Sequence, residues 1–305
     1  MKISIVIPVF RQVDTRFTEL CIESIRENSK EHHEIIVVVN PGTNIDAYNH
    51  LDADIIGGIE EQGQGHANNL GIGNATNEWI MIADNDNVFP PNWEKGLELL
   101  ESDMVLTFNS MEPIQGAPGF IYNDCGDIKN FNKEKFYTDA VEMAEEKFMP
   151  GTTYPFIIEK KHLNTIENFD VNFDPWGSGI DSDIRYKMML FGLDLKRYFG
   201  VLVYHFSQQI AWKFGTDEEI TPYLNANRRY FETKWDLAQF SSPQIWYSEF
   251  KINKDRLRFK PDWMNQISDK WMGTEEDNQY WQCGNCRYMN FLTRNKCLNC
   301  NNNKE

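Results

Sequence analysis

Apolar positions recur along this 305-residue chain in two periods, and the switches between them mark out its elements. Ile3-Ser4-Ile5-Val6-Ile7-Pro8 is a short β-branched run closed by proline, which predicts a first buried strand. Asp14-Thr15 then precedes Phe17, Leu20, Cys21, Ile22 and Ile25, a helical spacing with an N-cap, and Cys21 falls on its apolar face. Ile35-Ile36-Val37-Val38-Val39 is hydrophobic without a break, as parallel strands covered on both faces tend to be. Residues 40–44 form a turn and residues 53–56 a third strand. Residues 63–75 are rich in glycine and asparagine but keep Ala67, Leu70 and Ile72 in partly helical spacing, and they lead to an apolar strand over 79–83. Pro90-Pro91-Asn92 opens a further helix with Trp93, Leu97 and Leu100 on one side. Alternation of this kind predicts a parallel sheet with helices on both faces.

The second half is less regular. Residues 104–108 read as a strand, 132–148 as an amphipathic helix with a solvated acidic side, 154–158 as a strand and 161–166 as a short helix. A polar, glycine-containing stretch from Phe169 to Asp183 precedes a helix through Arg185, Met188, Met189 and Leu190 to Gly192. Residues 195–204 form the next strand, with His205 at its end, and 222–235 are helical. Periodicity is weak over 241–277, so three units are expected: a main domain over 1–235, an extension and linker over 236–278, and a small terminal module over 279–305. No internal repeat or low-complexity tract is present.

With 41% hydrophobic and 25% charged residues the chain reads as an ordinary globular protein able to bury a full core. A formal net charge of −16 disfavours unaided binding of nucleic acid or anionic membrane by the whole body, and makes a cation necessary for handling a phosphorylated substrate. The nine tryptophans suit carbohydrate handling and a dense core equally. The first ten residues lack the features of a signal peptide, and nowhere do about 18 to 20 apolar residues run together, so no membrane span is expected. Four of the six cysteines crowd into the last 23 residues as two C-x-x-C pairs, which suits a metal knuckle in a reducing compartment and hence a cytoplasmic protein.

The stretch Ile80-Met81-Ile82-Ala83-Asp84-Asn85-Asp86-Asn87 carries an apolar strand straight into two aspartates. Open α/β sheets bind ligands at the carboxyl edge of their strands. Mg²⁺ or Mn²⁺ is held in such places by one or two carboxylates with substrate phosphates completing the shell. The same residues also make an acidic turn, since Asp and Asn bond nearby backbone.

Four blocks in order tip that balance: Ile5-Val6-Ile7-Pro8, Gly65-x-Ala67-Asn68-Asn69-x-Gly71-Ile72, Asp84-Asn85-Asp86, and Phe169-Asp170 leading to Trp176-Gly177-x-Gly179-x-Asp181-x-Asp183. Together they resemble a family-2 glycosyltransferase of the GT-A fold, over roughly residues 1–235. The resemblance implies a Rossmann-like, mostly parallel central sheet with helices on both faces. It implies a nucleotide-sugar donor contacted by Pro8, Asn40, Asn69, Asp84 and Asp86, with Asp84 and Asp86 holding the metal and the diphosphate. It further implies Asp181 as catalytic base and His205 as a third metal ligand. The sequence departs from the family where Val39 and Asn40 replace the usual carboxylates at the end of the second strand, where Asn44 replaces an Asp, and where Ile180 replaces the Glu before the catalytic Asp.

Inverting transfer requires a carboxylate within reach of the acceptor hydroxyl, a role worth about 10²–10⁴-fold in rate. Asp181 fits it, and also fits a helix N-cap; Asp183 fits a first-turn residue favoured by the helix dipole. His205 is either a ligand or a hydrogen-bonded structural residue. Trp176 and Trp212 stack on an acceptor sugar or pack in the core. The acceptor itself is a glycan, a lipid-linked group or a protein.

The terminal module holds Trp281-x-Cys283-x-x-Cys286-x-x-x-Asn290 and then Cys297-x-x-Cys300. Four thiolates in two such knuckles describe a closed tetrahedral Zn²⁺ site, zinc-ribbon-like, whose metal supplies its folding energy. The Trp, Cys and Asn spacing looks like a RanBP2-type zinc finger, which implies single-stranded RNA or a protein as partner; docking on the main domain is the other reading. Arg287, Arg294, Lys296 and Lys304 make the segment locally basic. The expectation is therefore a metal-dependent inverting glycosyltransferase, and its rival a catalytically silent GT-A scaffold serving as an adaptor for the finger.

Overall fold

A computed structural model describes residues 1–9, 14–57, 63–114, 120–173, 179–206, 217–235, 280–282 and 289–291. The elements in chain order are β1 (Ser4–Val9), α1 (Arg16–Asn28), β2 (Glu34–Val39), β3 (Asp54–Gly57), α2 (Gln64–Asn74), β4 (Trp79–Ile82), β5 (Asn87–Val88), β6 (Met104–Glu112), β7 (Ile121–Tyr122), α3 (Lys133–Glu142), β8 (Phe148–Pro150) and β9 (Phe156–Glu159). They continue with α4 (Lys160–Thr165), α5 (Ile180–Phe191), β10 (Asp194–His205), α6 (Asp217–Trp235), β11 (Tyr280–Gln282) and β12 (Met289–Phe291). Three short 3₁₀ turns, Ile45–Tyr48, Trp93–Leu99 and Val171–Phe173, join them. The helix expected after Pro90-Pro91 is the second of these, and Asn92 before it takes up a left-handed conformation.

The main sheet runs in the order β3-β2-β1-β4-β9-β6-β10-β5, with β7 added beside β6 and β8 beside β10. β1 to β4 are mutually parallel, as the alternation predicted. The far half is mixed: β9 runs antiparallel to both β4 and β6, and β5 and β8 run antiparallel to β10. The helix expected over 132–148 ends at Glu142, and the remainder supplies β8.

Strict alternation of side chains explains why the first strands are apolar throughout. Val6, Ile36, Val38, Ile80 and Ile82 face α2, α5 and α6 through Ala67, Ile72, Ile184 and Phe231. Ile5, Ile7, Ile35, Val37, Val39 and Met81 face α1 through Cys21, Ile22 and Ile25, together with Trp93. Gly71 permits the close approach on the first face, since a Cβ there would lie 2.3 Å from Val6 Cγ1. A third cluster, Phe17, Met111, Phe136, Leu202, Tyr204 and Phe206, seats α3 on the end of β10. No helix among the described residues is long and apolar enough to cross a membrane.

Candidate metal centre and active site

The order 3-2-1-4 places a topological switch point between β1 and β4, where open α/β sheets form their binding crevice. Pro8 marks where the crevice opens. Val6 O accepts from Ala83 N at 3.0 Å, while Val9 O accepts from Asn40 N at 3.0 Å. By alternation Pro8 faces the β4 side, above the last rung of that ladder, so its missing N–H costs no strand pairing.

At the same level the chain leaves β4 through Asp84-Asn85-Asp86. Asn87 Oδ1 accepts from Asp84 N at 3.1 Å, and Asn85 Nδ2 donates to Thr18 Oγ1 of α1 at 3.2 Å. The two asparagines thus tie the turn to the body and aim the two aspartates together. Pairing of β5 with β10 then sets Asn87 opposite His205, and Phe206 N donates to Asp86 O at 3.3 Å. One ligand atom from each of Asp84, Asp86 and His205 lies within 4.8 Å of the others. Asp86 Oδ1 stands 3.5 Å from His205 Nε2, and Asp86 is 6% exposed.

The electrostatics match a cation-binding cluster. Burial pushes the Asp84 carboxyl well above its ordinary range, and the charges of Asp86 and Asp181 push it further, against His205 and Arg185. Burial raises Asp86 likewise, with Glu112 adding and His205 opposing. Burial alone would disfavour the His205 imidazolium, but Asp86, a hydrogen bond to Glu112 and Asp84 outweigh it and raise its pKa. A proton on His205 is therefore the only positive charge that these three side chains supply to one another. Two carboxylates and an imidazole nitrogen form a donor set that suits Mn²⁺, and Mg²⁺ less well because it prefers oxygen.

Asp181 lies in the first turn of α5, half exposed, with Oδ2 3.5 Å from Arg185 Nη1 one turn on. The N-cap of that helix is Gly179, in the left-handed region, so the capping reading of Asp181 is corrected. The charge of Asp181 acts on both Asp84 and Tyr154, so it lies near the aspartate turn. Asp183 lies in the same first turn, as expected. It is fully buried, accepts from Trp235 Nε1 at 2.8 Å and pairs with Lys234 Nζ at 2.7 Å. Lys234 also reaches Asp170 Oδ2 at 2.6 Å, so α6 clamps α5 to the 169–173 segment.

Asn69, expected at the donor, uses its amide on the Phe169 peptide, with Nδ2 donating to O and Oδ1 accepting from N, both at 2.9 Å. It holds the approach to Asp181. Asn40 ends β2 with an amide buried and without a partner, and Asn68 on α2 is the same. Trp176, Trp212, Cys283, Cys286, Cys297 and Cys300 lie outside the described residues. β11 and β12 pair antiparallel, Gln282 opposite Met289 and Tyr280 opposite Phe291.

Three residues of the site escaped sequence reasoning. Glu112 ends β6, is 3% exposed, and its Oε1 lies 2.8 Å from His205 Nδ1. Asn109 and Ser110 interrupt the apolar run before it, so the signal that marks Asp84 is missing here. Arg185 is buried beside Asp181, and the Tyr154 hydroxyl is buried without a partner and faces the charges of Asp181 and Asp84. Nothing in their local sequence announces these two.

Residues 4–121 match the family model described as Glycosyl transferase family 2. No curated protein matches the chain. Among solved structures, the chain is similar to GalNAc-T7 with UDP, GalNAc and Mn²⁺, at a TM-score of 0.54 and 15% identity, covering 76% of this chain and 48% of that one. It is also similar to TarS of S. aureus, at a TM-score of 0.50 and 14% identity, covering 81% of this chain and 41% of that one. The chain therefore spans about half the length of these relatives or less. The likeness establishes a GT-A-like α/β fold.

Proposed function

We propose that this chain is a metal-dependent, inverting glycosyltransferase that moves a sugar from a nucleotide-sugar donor to an acceptor hydroxyl. The observation that carries the reading is the convergence of Asp84, Asp86 and His205 within 4.8 Å at the carboxyl edge of β4, close enough to Asp181 for its charge to act on Asp84. The family match over 4–121 supports it, as does a fold neighbour solved with UDP and Mn²⁺.

Asp84, Asp86 and His205 would hold Mn²⁺ or Mg²⁺. When bound, such an ion supplies Lewis-acid stabilisation of the leaving diphosphate. Asp181 takes the proton of the acceptor hydroxyl as that oxygen attacks the anomeric carbon from the face opposite the diphosphate. The carbon–oxygen bond to acceptor forms as the bond to phosphate breaks, and the configuration inverts. Partial exposure of Asp181 leaves it open to an acceptor, and Arg185 at 3.5 Å fixes its orientation. Tyr154 offers a neutral hydroxyl donor between base and metal carboxylates. The orphaned Asn40 amide stands where the donor's base or ribose would reach, beside Pro8. Asn69 serves the donor indirectly, by holding the Phe169 segment, and Trp176 and Trp212 are assigned to the acceptor by chemistry alone.

The domain division at 235 and 278 is retained in this reading, with residues 279–305 a zinc finger. Its support is the spacing of Cys283, Cys286, Cys297 and Cys300 in the sequence. The finger would recruit single-stranded RNA or a protein, and its thiolates fit the cytoplasm.

The test is a screen of the purified chain with Mn²⁺ against a panel of nucleotide sugars, with Asp86→Ala alongside. Transfer or donor hydrolysis that needs the metal and is lost in Asp86→Ala is expected. Full turnover in EDTA would falsify the metal role, and no turnover of any donor would leave the silent scaffold in its place.

A further inference from the structure

We propose that Glu112 is the residue that makes His205 a metal donor, by accepting a hydrogen bond from Nδ1–H so that the Nε2 lone pair is left for the cation. The inference rests on the metal centre proposed above and adds a positioning residue behind it. Three observations on the page carry it. First, Glu112 Oε1 lies 2.8 Å from His205 Nδ1, on the side of the ring away from Asp86, whose Oδ1 is 3.5 Å from Nε2. Second, the two residues are locked in register rather than thrown together by a loop. β6 and β10 pair in parallel with Met111 opposite Tyr204, so Glu112 and His205 are the next residues on adjacent strands. Third, the Glu112 side chain is 4% exposed, and among the described residues its ion-pair partner is His205 alone.

A buried carboxylate is costly unless it is paired, and here the pairing partner is an imidazole that is itself aimed at two further carboxylates. Glu112 is not one of the three side chains whose ligand atoms converge. It stands behind the ring, in the arrangement of a carboxylate–histidine–metal relay. Such a partner fixes the tautomer and ring orientation, raises the basicity of the coordinating nitrogen, and is worth 10–100-fold in metal affinity when removed.

The experiment uses the full chain and Mn²⁺ alone, with free ion followed by electron paramagnetic resonance. Glu112→Gln keeps the shape and removes the charge, and should weaken Mn²⁺ binding by roughly 10–100-fold with the unfolding temperature little changed. In a His205→Ala background the same substitution should change affinity by less than about twofold, because Glu112 acts only through the ring. A merely structural role would lower affinity in both backgrounds. A second measurement needs no variant: in the Cd²⁺-loaded chain, labelled cadmium should couple to Nε2 of His205 with the ring proton on Nδ1. Coupling through Nδ1, or equal Mn²⁺ affinity in wild type and Glu112→Gln, overturns the assignment of Glu112 and leaves the metal centre standing. A wild-type chain that binds no Mn²⁺ overturns both.

Discussion

Asp183→Asn should destabilise the chain severely while leaving the metal ligands in place. The aspartate is fully buried two residues beyond Asp181, its Oδ1 2.7 Å from Lys234 Nζ and its Oδ2 3.8 Å from Lys187 Nζ. Asn fills the same volume and can still accept from Trp235 Nε1, so neither a cavity nor a lost indole bond confuses the outcome. What changes is charge. At an effective dielectric of about 20, a unit pair at 2.7 Å attracts by roughly 6 kcal/mol. Much of that is offset by the desolvation of both ions, and truncating one partner of a buried pair costs about 3–5 kcal/mol net. The lower end applies here. Lys234 keeps Asp170 Oδ2 at 2.6 Å, and Lys187, whose pKa burial already lowers, keeps the Asn168 carbonyl at 2.9 Å. A loss of about 3 kcal/mol corresponds to a fall of roughly 6–12 °C in unfolding temperature for a domain of this size.

Urea denaturation at neutral pH measures the loss, and a double-mutant cycle with Lys234→Met identifies its source. In that background the stranded cation is gone, so Asp183→Asn should cost at least about 1.5 kcal/mol less than alone. A single-mutant cost under about 1 kcal/mol, or strict additivity in the cycle, would refute the view that α6 clamps α5 through these charges.

The clamp also predicts a pH dependence. Burial works against the Asp170 carboxylate, but Lys234, Asn172 and Tyr230 outweigh it and hold its pKa down to about 2. Against an unfolded value of about 3.9, Asp170 contributes about 2–3 kcal/mol that is present above pH ~4 and lost as pH falls toward ~2. Asp170→Asn should therefore lose stability at pH 7, with the gap to wild type closing near pH 2 in acid-unfolding curves. Two glycines of α2 should respond in opposite senses to alanine. Gly71→Ala places a Cβ 2.3 Å from Val6 Cγ1 and should cost about 1–3 kcal/mol, whereas Gly73→Ala meets nothing within 4 Å and should gain up to about 1 kcal/mol in thermal denaturation. For the terminal module, plasma mass spectrometry of the purified full chain should find one zinc per chain, absent from Cys297→Ser, while Asp86→Ala leaves the zinc in place.

β1, β2 and β4 were legible because each holds a contiguous apolar run, and contiguity is what one-dimensional reading detects. The antiparallel insertion of β9 between β4 and β6 was not, since register across a sheet depends on partners that lie far apart in sequence. The overlong helix from 132 has a similar cause. Residues 143–148 keep acidic and apolar spacing, but Phe148 leaves to stack on Tyr198 and extend the sheet through β8. Asp183 stands in the first turn of α5 as its position suggested, but nothing local announces that Trp235 and Lys234 arrive to bury it.

The same division runs through the site and explains why its half-legibility is informative. Asp84 and Asp86 sit on one turn, so a tripeptide revealed them, and His205 closes an apolar strand, so its position was suggestive. Their meeting depends on two residues of β5 pairing with the end of β10, a contact too short to leave any periodicity. Glu112 lies on β6 beyond the 104–108 strand read from sequence, and Tyr154 opens the stretch read as a strand over 154–158. A lone aspartate pair in a turn is solvated and holds a metal weakly. Backed by a half-buried imidazole, and that imidazole by a buried glutamate, the pair becomes a concentrated negative site that burial makes hard to sustain without a cation. The far strands therefore contribute the low dielectric and the orientation, while the turn contributes the charge. Transfer of a charged leaving group needs both at one edge of the sheet.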